Sequence, residues 1–265
     1  MAETGRNDPI EVRLNERTYN VVAVRPEIAA FWANAVAGRW EDETFRFLDA
    51  VADPQAVLVD VGAWIGPVSL YASPLMARVI ALEPDPVAHG ELSANIAANV
   101  ANVEIWNAAV DLEPGELKLY APQGFGNSET SSIGEGEPLI VKTVTFADLD
   151  AAVGNTAKAV LKVDIEGHEY RVMDALIGFA KNRRAPVHLS LHPRSYWNER
   201  KKHRGWLGAR RETYRATMDA IGKLAGVGPV FMSHTGAPIS AGMVFQRIFL
   251  KRRPKNFSVE VRNPV

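Results

Sequence analysis

The sequence predicts an α/β fold, a mostly parallel sheet with helices on both faces. Three features of the 265-residue chain point there. Segments such as "AVLVDV" (56–61), "RVIALEP" (78–84), "AVLKVDIEG" (159–167) and "PVHLSLHP" (186–193) are largely apolar, as strands buried on both faces are. Amphipathic stretches of helical spacing follow most of them. Glycine or proline marks the junctions.

Taken in order, residues 26–52 are predicted helical, with Ile28, Phe31, Trp32 and Val36, then Phe45, Leu48 and Val51, near helical spacing; Asp53-Pro54 ends that part. The strand at 56–61 runs into the turn Gly62-Ala63-Trp64-Ile65-Gly66, and its helix starts near Pro67. The strand at 78–84 precedes a helix from Pro86, with Leu92, Ile96 and Val100 at four-residue steps. A third strand is "NVEIWNAAV" (102–110). The fourth, at 159–167, feeds a helix with Tyr170, Met173, Ile177 and Ala180 on one face; the fifth covers 186–193. Two parts break the rhythm. Residues 116–145 read as two strands joined by the glycine-serine loop "QGFGNSETSSIGEGE" (123–137), expected to be mobile and exposed. "GPVFMSH" and "GMVFQRIFLKR" read as a closing hairpin.

Composition narrows the function. A net charge of −1 indicates no whole-molecule attraction to nucleic acid or membrane. The absence of cysteine excludes disulfides, thiolate zinc sites and cysteine nucleophiles. "MAETGRNDPI" has no apolar core, so no signal peptide is expected. The longest uncharged run, 61–77, is too short and too broken by proline and glycine to span a bilayer. A cytoplasmic protein is the expectation.

Ligands of open α/β sheets bind beyond the carboxyl ends of the strands. The residues there are Asp60 with the glycine turn, Glu83, Asn107 and Ala108, Asp164 and Glu166, and His192. In "VLVDVGAWIG" (57–66) a charge ends a buried-looking strand, and such a charge needs a partner. A nicotinamide dinucleotide fits poorly, because its pyrophosphate needs a middle glycine where this chain has Trp64. S-adenosylmethionine carries no phosphate and is cationic, so Asp60 is expected to face its charge. Glu83, 23 residues after Asp60, lies near the roughly 20-residue offset of a carboxylate that bridges ribose hydroxyls.

"DVGAWIG", "ALEPDP", "LSANIAAN" and "LKVDIEGHE", in that order over about residues 55–195, resemble the FkbM-type family of S-adenosylmethionine-dependent methyltransferases. "LKVDIEGHE" is the most family-specific piece. The resemblance implies a class I methyltransferase (Rossmann-like) fold, a mostly parallel seven-stranded sheet with an antiparallel C-terminal strand, here "MVFQRIFL". It also implies methylation of a hydroxyl on a sugar, glycan or natural product. By the same resemblance, Asp60, Gly62 and Gly66 line the methionyl and ribose end, Glu83 holds the ribose, Asn107 and Ala108 lie near adenine, and Asp164 sits by the transferring methyl. Trp64 departs from the asparagine common in the family, which puts that side-chain contact with the cofactor in doubt. The implied organisation is an N-terminal helical extension (1–54), a methyltransferase domain (55–253) with a hairpin insert (116–145), and a tail (254–265).

Methyl transfer needs the hydroxyl proton removed. His192, titrating near neutrality at the ligand edge, is the expected base, with Asp164 taking the proton or orienting the hydroxyl. Asp164, Glu166, His168, Glu169 and His192 are enough ligands for a divalent metal. A helix N-terminus accounts for Glu166 and Glu169 without one, so no metal is assigned. The basic and aromatic segment 193–215 is read as helping to choose the acceptor, or as a solvated surface; nucleic acid is not favoured. A binding protein that keeps the fold without transferring methyl groups is the alternative, and an oxidoreductase a more distant one.

Overall fold

The computed structural model describes residues 9–23, 25–99, 101–121, 124–155 and 158–265. Residues 1–8 of the predicted extension, Val100 of a predicted helix and Gln123 of the glycine-serine loop lie outside them. The described chain opens with an antiparallel hairpin, β1 (Ile10–Leu14) and β2 (Arg17–Val21), where Val12, Leu14, Tyr19 and Val21 alternate inward. The extension is thus a hairpin as well as helices. Its helical stretch divides into α1 (Pro26–Val36) and α2 (Asp42–Ala50), because Gly38 and Glu41 adopt left-handed backbone between them.

Then follow β3 (Asp53–Val61), α3 (Pro67–Ala72), β4 (Met76–Leu82), α4 (Pro86–Ala97), β5 (Val103–Trp106), β6 (Ala109–Val110), β7 (Gly115–Leu119) and β8 (Leu139–Val144). The chain continues with α5 (Phe146–Val153), β9 (Lys158–Val163), α6 (Glu169–Arg183), β10 (Val187–Leu191), α7 (Pro193–Ala225), β11 (Phe231–Met232), α8 (Ala241–Phe249) and β12 (Phe257–Val261). Seven strands form one sheet in the order β5-β4-β3-β9-β10-β12-β11. The first five are parallel, and β12 runs antiparallel to both neighbours.

Strand alternation divides the core. Val57, Val59 and Val61 of β3 face α5, α6 and the end of α7, whereas Ala56 and Leu58 face the hairpin and α1 to α4. Local chemistry fixes the helix ends. Asp85 caps α4 by accepting from the Val87 N–H at 2.9 Å, with Pro86 at the first position. Thr145 and Asp148 form a reciprocal capping box at α5. Gly205 (φ 64, ψ 175) breaks α7 into two helical parts.

The C-terminal expectation needs correcting. "MVFQRIFL" is helical: Ser240 Oγ accepts from the Met243 N–H at 3.3 Å, and Val244 and Ile248, four apart, are buried. The antiparallel strand is β12, inside the segment read as a tail. There Phe257, Val259 and Val261 keep the two-residue period, and β12 inserts between β10 and β11. A short apolar run is ambiguous by period alone, and burial four residues apart decides for helix. In the insert, β7 and β8 pair antiparallel as expected. The predicted strand 102–110 divides at Asn107-Ala108, and β6 leaves the main sheet to pair with β8.

Candidate active site

Gly62 leaves β3 with φ +81, and a Cβ there would stand 1.9 Å from the Asp164 carbonyl oxygen. Only glycine permits that approach. It sets the turn against the end of β9, beside a cavity at the strand tips lined by Gly62, Trp64, Glu83, Ala108, Asp164 and Glu166, among others. Of the residues expected at a cofactor, Gly62, Glu83, Ala108 and Asp164 are at its wall; Asp60, Gly66 and Asn107 are not.

Each of those three has a different task. Asp60 is fully buried, and its cation comes from inside the sheet: Lys162 Nζ lies 3.1 Å from Oδ1, while Ser69 Oγ donates to Oδ2 at 2.6 Å. Register places Asp60 and Lys162 side by side. Lys162 Nζ also donates to the Gly62 carbonyl at 2.7 Å, bracing the turn. Burial opposes the lysine's charge, but Asp60, Asp164 and Glu41 outweigh it and hold its pKa above the ordinary value. Gly66 (φ +92) lets α3 pack on α4, because a Cβ would meet Leu92 Cδ1 at 2.6 Å. The Asn107 amide donates to the carbonyls of Glu83 and Pro84, at 2.9 and 3.2 Å, tying the end of β5 to that of β4.

Glu83 is held by the backbone at both oxygens. Its Oε1 accepts from the Asp85 N–H and its Oε2 from the Trp64 N–H, both at 2.8 Å. Burial pushes its carboxyl up to about 7 against these bonds. Each oxygen keeps acceptor capacity for a diol. Trp64 stands in left-handed backbone (φ 50), with its indole T-shaped on Phe31 of α1 at 4.5 Å and its Nε1–H on the Gly126 carbonyl at 3.0 Å. A dinucleotide turn has glycine there; this chain has a wall.

Past β9 and β10 a second set of charges converges. His192 Nε2 lies 3.3 Å from Asp164 Oδ1 and 3.3 Å from Glu166 Oε1, and its Nδ1 lies 3.3 Å from Glu169 Oε1. His192 therefore differs from the expected base, since carboxylates engage both ring nitrogens. Burial disfavours its charge, but Glu169 and Glu166 outweigh that and hold its pKa well above the usual value. Burial works against the Asp164 charge too, while His192 and Lys162 hold its pKa below the ordinary value.

Two charged residues of the wall are absent from the sequence reading. Lys162 sits inside an apolar strand and raises the same question as Asp60, so a buried-charge search finds it. Glu41 comes from the extension, in left-handed backbone (φ 39) before α2, and accepts from Thr44 Oγ1 at 3.2 Å. Its carboxyl is pushed up to about 7 by burial and by Asp164. No motif marks it.

The glycine-serine loop is fastened rather than free over its described part. The Gly126 N–H and Thr130 Oγ1 donate to Asp85 Oδ2 at 2.6 and 3.0 Å, and Ser131 Oγ donates to the Glu166 carbonyl at 2.8 Å. Thr130 and Ser131 stand at the cavity wall. The basic segment is also partly spent. Arg200 pairs with Glu212, Lys202 with Glu199 and Glu135, and buried Arg210 donates to the carbonyls of Ile248, Lys251 and Arg252. Arg194, Lys251, Arg252, Arg253 and Lys255 line a separate groove. Arg194 and Asn256 continue it into a groove that reaches Glu166.

The strand order, the single antiparallel strand and a diol-ready carboxylate at the tip of β4 define a class I, Rossmann-like methyltransferase fold. The family model described as the methyltransferase FkbM domain matches residues 60–215, more than half of the chain, and the chain belongs to the FkbM methyltransferase family. A curated relative, the hexuronic acid methyltransferase AglP of Haloferax volcanii, is 27% identical over 138 residues, 52% of this chain and 57% of the relative. The chain thus matches little more than half of that relative's length. Among solved structures, SMU.1697c of Streptococcus mutans in complex with SAH is similar at 11% identity and TM-score 0.48, over 84% of this chain and 97% of that one. Methyltransferase FkbM of Methylobacillus flagellatus is similar at 14% identity and TM-score 0.36, over 62% and 42%. Among the described residues, no helix is long and apolar enough to cross a membrane.

Proposed function

We propose that this protein is an S-adenosylmethionine-dependent O-methyltransferase whose acceptor is a hydroxyl of an acidic sugar or glycan. The observation that carries the cofactor is Glu83, a cavity-wall carboxylate with each oxygen held by one backbone N–H. The wall fits the cofactor in charge as well: Glu41, Glu83, Asp164 and Glu166 outnumber Lys162, which suits a cation. When bound, S-adenosylmethionine supplies a methyl group on a sulfonium that leaves as a neutral thioether.

The chain's own residues do the rest. Glu83 accepts from the ribose hydroxyls, and Ala108 leaves space beside it for the base. Asp164 orients the acceptor hydroxyl. Glu41, whose carboxyl titrates at about 7, is matched to taking the hydroxyl proton near neutral pH. The oxygen lone pair then forms the new C–O bond while the C–S pair leaves on sulfur. The acidic acceptor is supported by the relative that acts on a hexuronic acid and by the groove of Arg194, Lys251, Arg252, Arg253 and Lys255.

Incubation with methyl-labelled cofactor and a panel of neutral and uronic sugars tests this. Label on a uronic-acid hydroxyl is expected, with R252A/R253A raising KM for that acceptor while S-adenosylhomocysteine affinity stays as in the wild type. Cofactor binding without transfer to any hydroxyl compound would favour the binding-protein alternative.

A further inference from the structure

We infer that Asp164, Glu166 and His192 form a binding site for a divalent cation of the Mg²⁺ or Mn²⁺ class at the acceptor end of the cavity. One ligand atom from each residue lies within 4.8 Å of the other two, and Nε2 stands 3.3 Å from both carboxylate oxygens. An octahedral cation with bonds of about 2.1 Å places adjacent ligands about 3.0 Å apart. Small side-chain movements close that difference.

The surroundings favour a metal over a plain ion pair. Glu169 is fully buried; its Oε1 accepts from the His192 N–H at 2.7 Å and faces Nδ1, while its Oε2 accepts from the Gly167 N–H at 2.8 Å. That arrangement sets the ring's orientation and presents Nε2 outward, as a carboxylate behind a metal-bound histidine does. The charge count points the same way. Lys162 is shared among Asp60, Asp164 and Glu41, so with Glu166 and Glu169 five carboxylates meet one lysine and one imidazole. A cation at Nε2 takes the place of the ring proton there, and the carboxylates that favour a charged ring favour a dication in its stead. Two carboxylate oxygens and one imidazole suit Mg²⁺ or Mn²⁺, and a chain without cysteine offers no thiolate for softer ions.

Asp164 and Glu166 both stand at the cavity wall, so the remaining coordination positions open toward the acceptor. There the cation would hold the acceptor hydroxyl and make it more acidic. This role, though not the binding itself, rests on the methyltransferase reading above.

Mn²⁺ titration of the purified full chain, followed by electron paramagnetic resonance and calorimetry, tests the site. One Mn²⁺ per chain is expected, with H192A and E166Q each weakening it at least tenfold. E166Q keeps the shape of the side chain, and matching circular dichroism separates lost binding from lost fold. No Mn²⁺ binding at millimolar concentration, or wild-type affinity in folded E166Q and H192A, would overturn the inference. A parallel titration with S-adenosylhomocysteine tells the two readings apart. Mn²⁺ binding without nucleoside binding removes the methyltransferase reading and keeps the cation site; the reverse removes only the site.

Discussion

Two groups of buried charge lie a few residues apart on the same strands, and they differ in what balances them. Inside the sheet, Asp60, Lys162, His188 and Glu260 stand in register across β3, β9, β10 and β12, none more than 4% exposed. Lys162 neutralises Asp60, and Arg262 meets Glu260 at 2.6 Å. His188 stays neutral, its pKa pushed down to about 3 by burial and the nearby Lys162 charge. Two residues beyond Lys162, past the strand end, Asp164 begins a cluster in which carboxylates outnumber cations and which opens to the cavity. Interior charge is closed by register. Charge past the strand ends is only partly balanced and borders the cavity.

The largest expected effect comes from opening the closed row. K162M strands Asp60 in the core and is expected to cost about 3–5 kcal/mol in urea unfolding, with D60N/K162M recovering most of it. A loss under about 1 kcal/mol would mean that the row does not depend on its charges. Next comes the ligand-facing side. E83Q is expected to weaken S-adenosylhomocysteine about 10- to 100-fold by calorimetry, as for loss of a charged hydrogen-bond acceptor.

Glu83 also sharpens the contrast through pH. Its folded pKa of about 7 lies above the ordinary glutamate value of about 4.3, so between them the folded chain holds a proton that the unfolded chain has released. This group's stability contribution is full below the ordinary value and is lost as pH rises through about 7. Nucleoside affinity runs oppositely, rising from pH 6 to 8 as the carboxylate forms. Both slopes should flatten in E83Q. The smallest effect is at the surface: K202A, which breaks ion pairs to Glu199 and Glu135, should change stability by less than about 0.5 kcal/mol.

Much of this was legible from spacing. Continuous apolar strands located the parallel sheet, and Glu83 emerged from its offset behind the glycine turn. Asp60 was correctly read as a charge needing a partner, but the partner depends on which strands are neighbours. Strand order, a long-range property, brings Lys162 beside it. The same limit hid Glu41, which arrives from outside the motif-bearing region. Gly66 packs toward Leu92 and Asn107 ties β5 to β4, contacts that depend on which elements are neighbours and that local spacing does not reveal. β12 is hidden in the sequence because five alternating residues are a shorter signal than the apolar run of α8 before them.

The central claim is that Glu83, and not Asp60, meets the nucleoside. A crystal structure with S-adenosylhomocysteine tests it most directly. The account predicts both ribose hydroxyls within hydrogen-bond distance of the Glu83 carboxylate, with the Asp60–Lys162 pair unbroken. A nucleoside seated elsewhere, or an Asp60 turned away from Lys162 to touch it, would contradict the account.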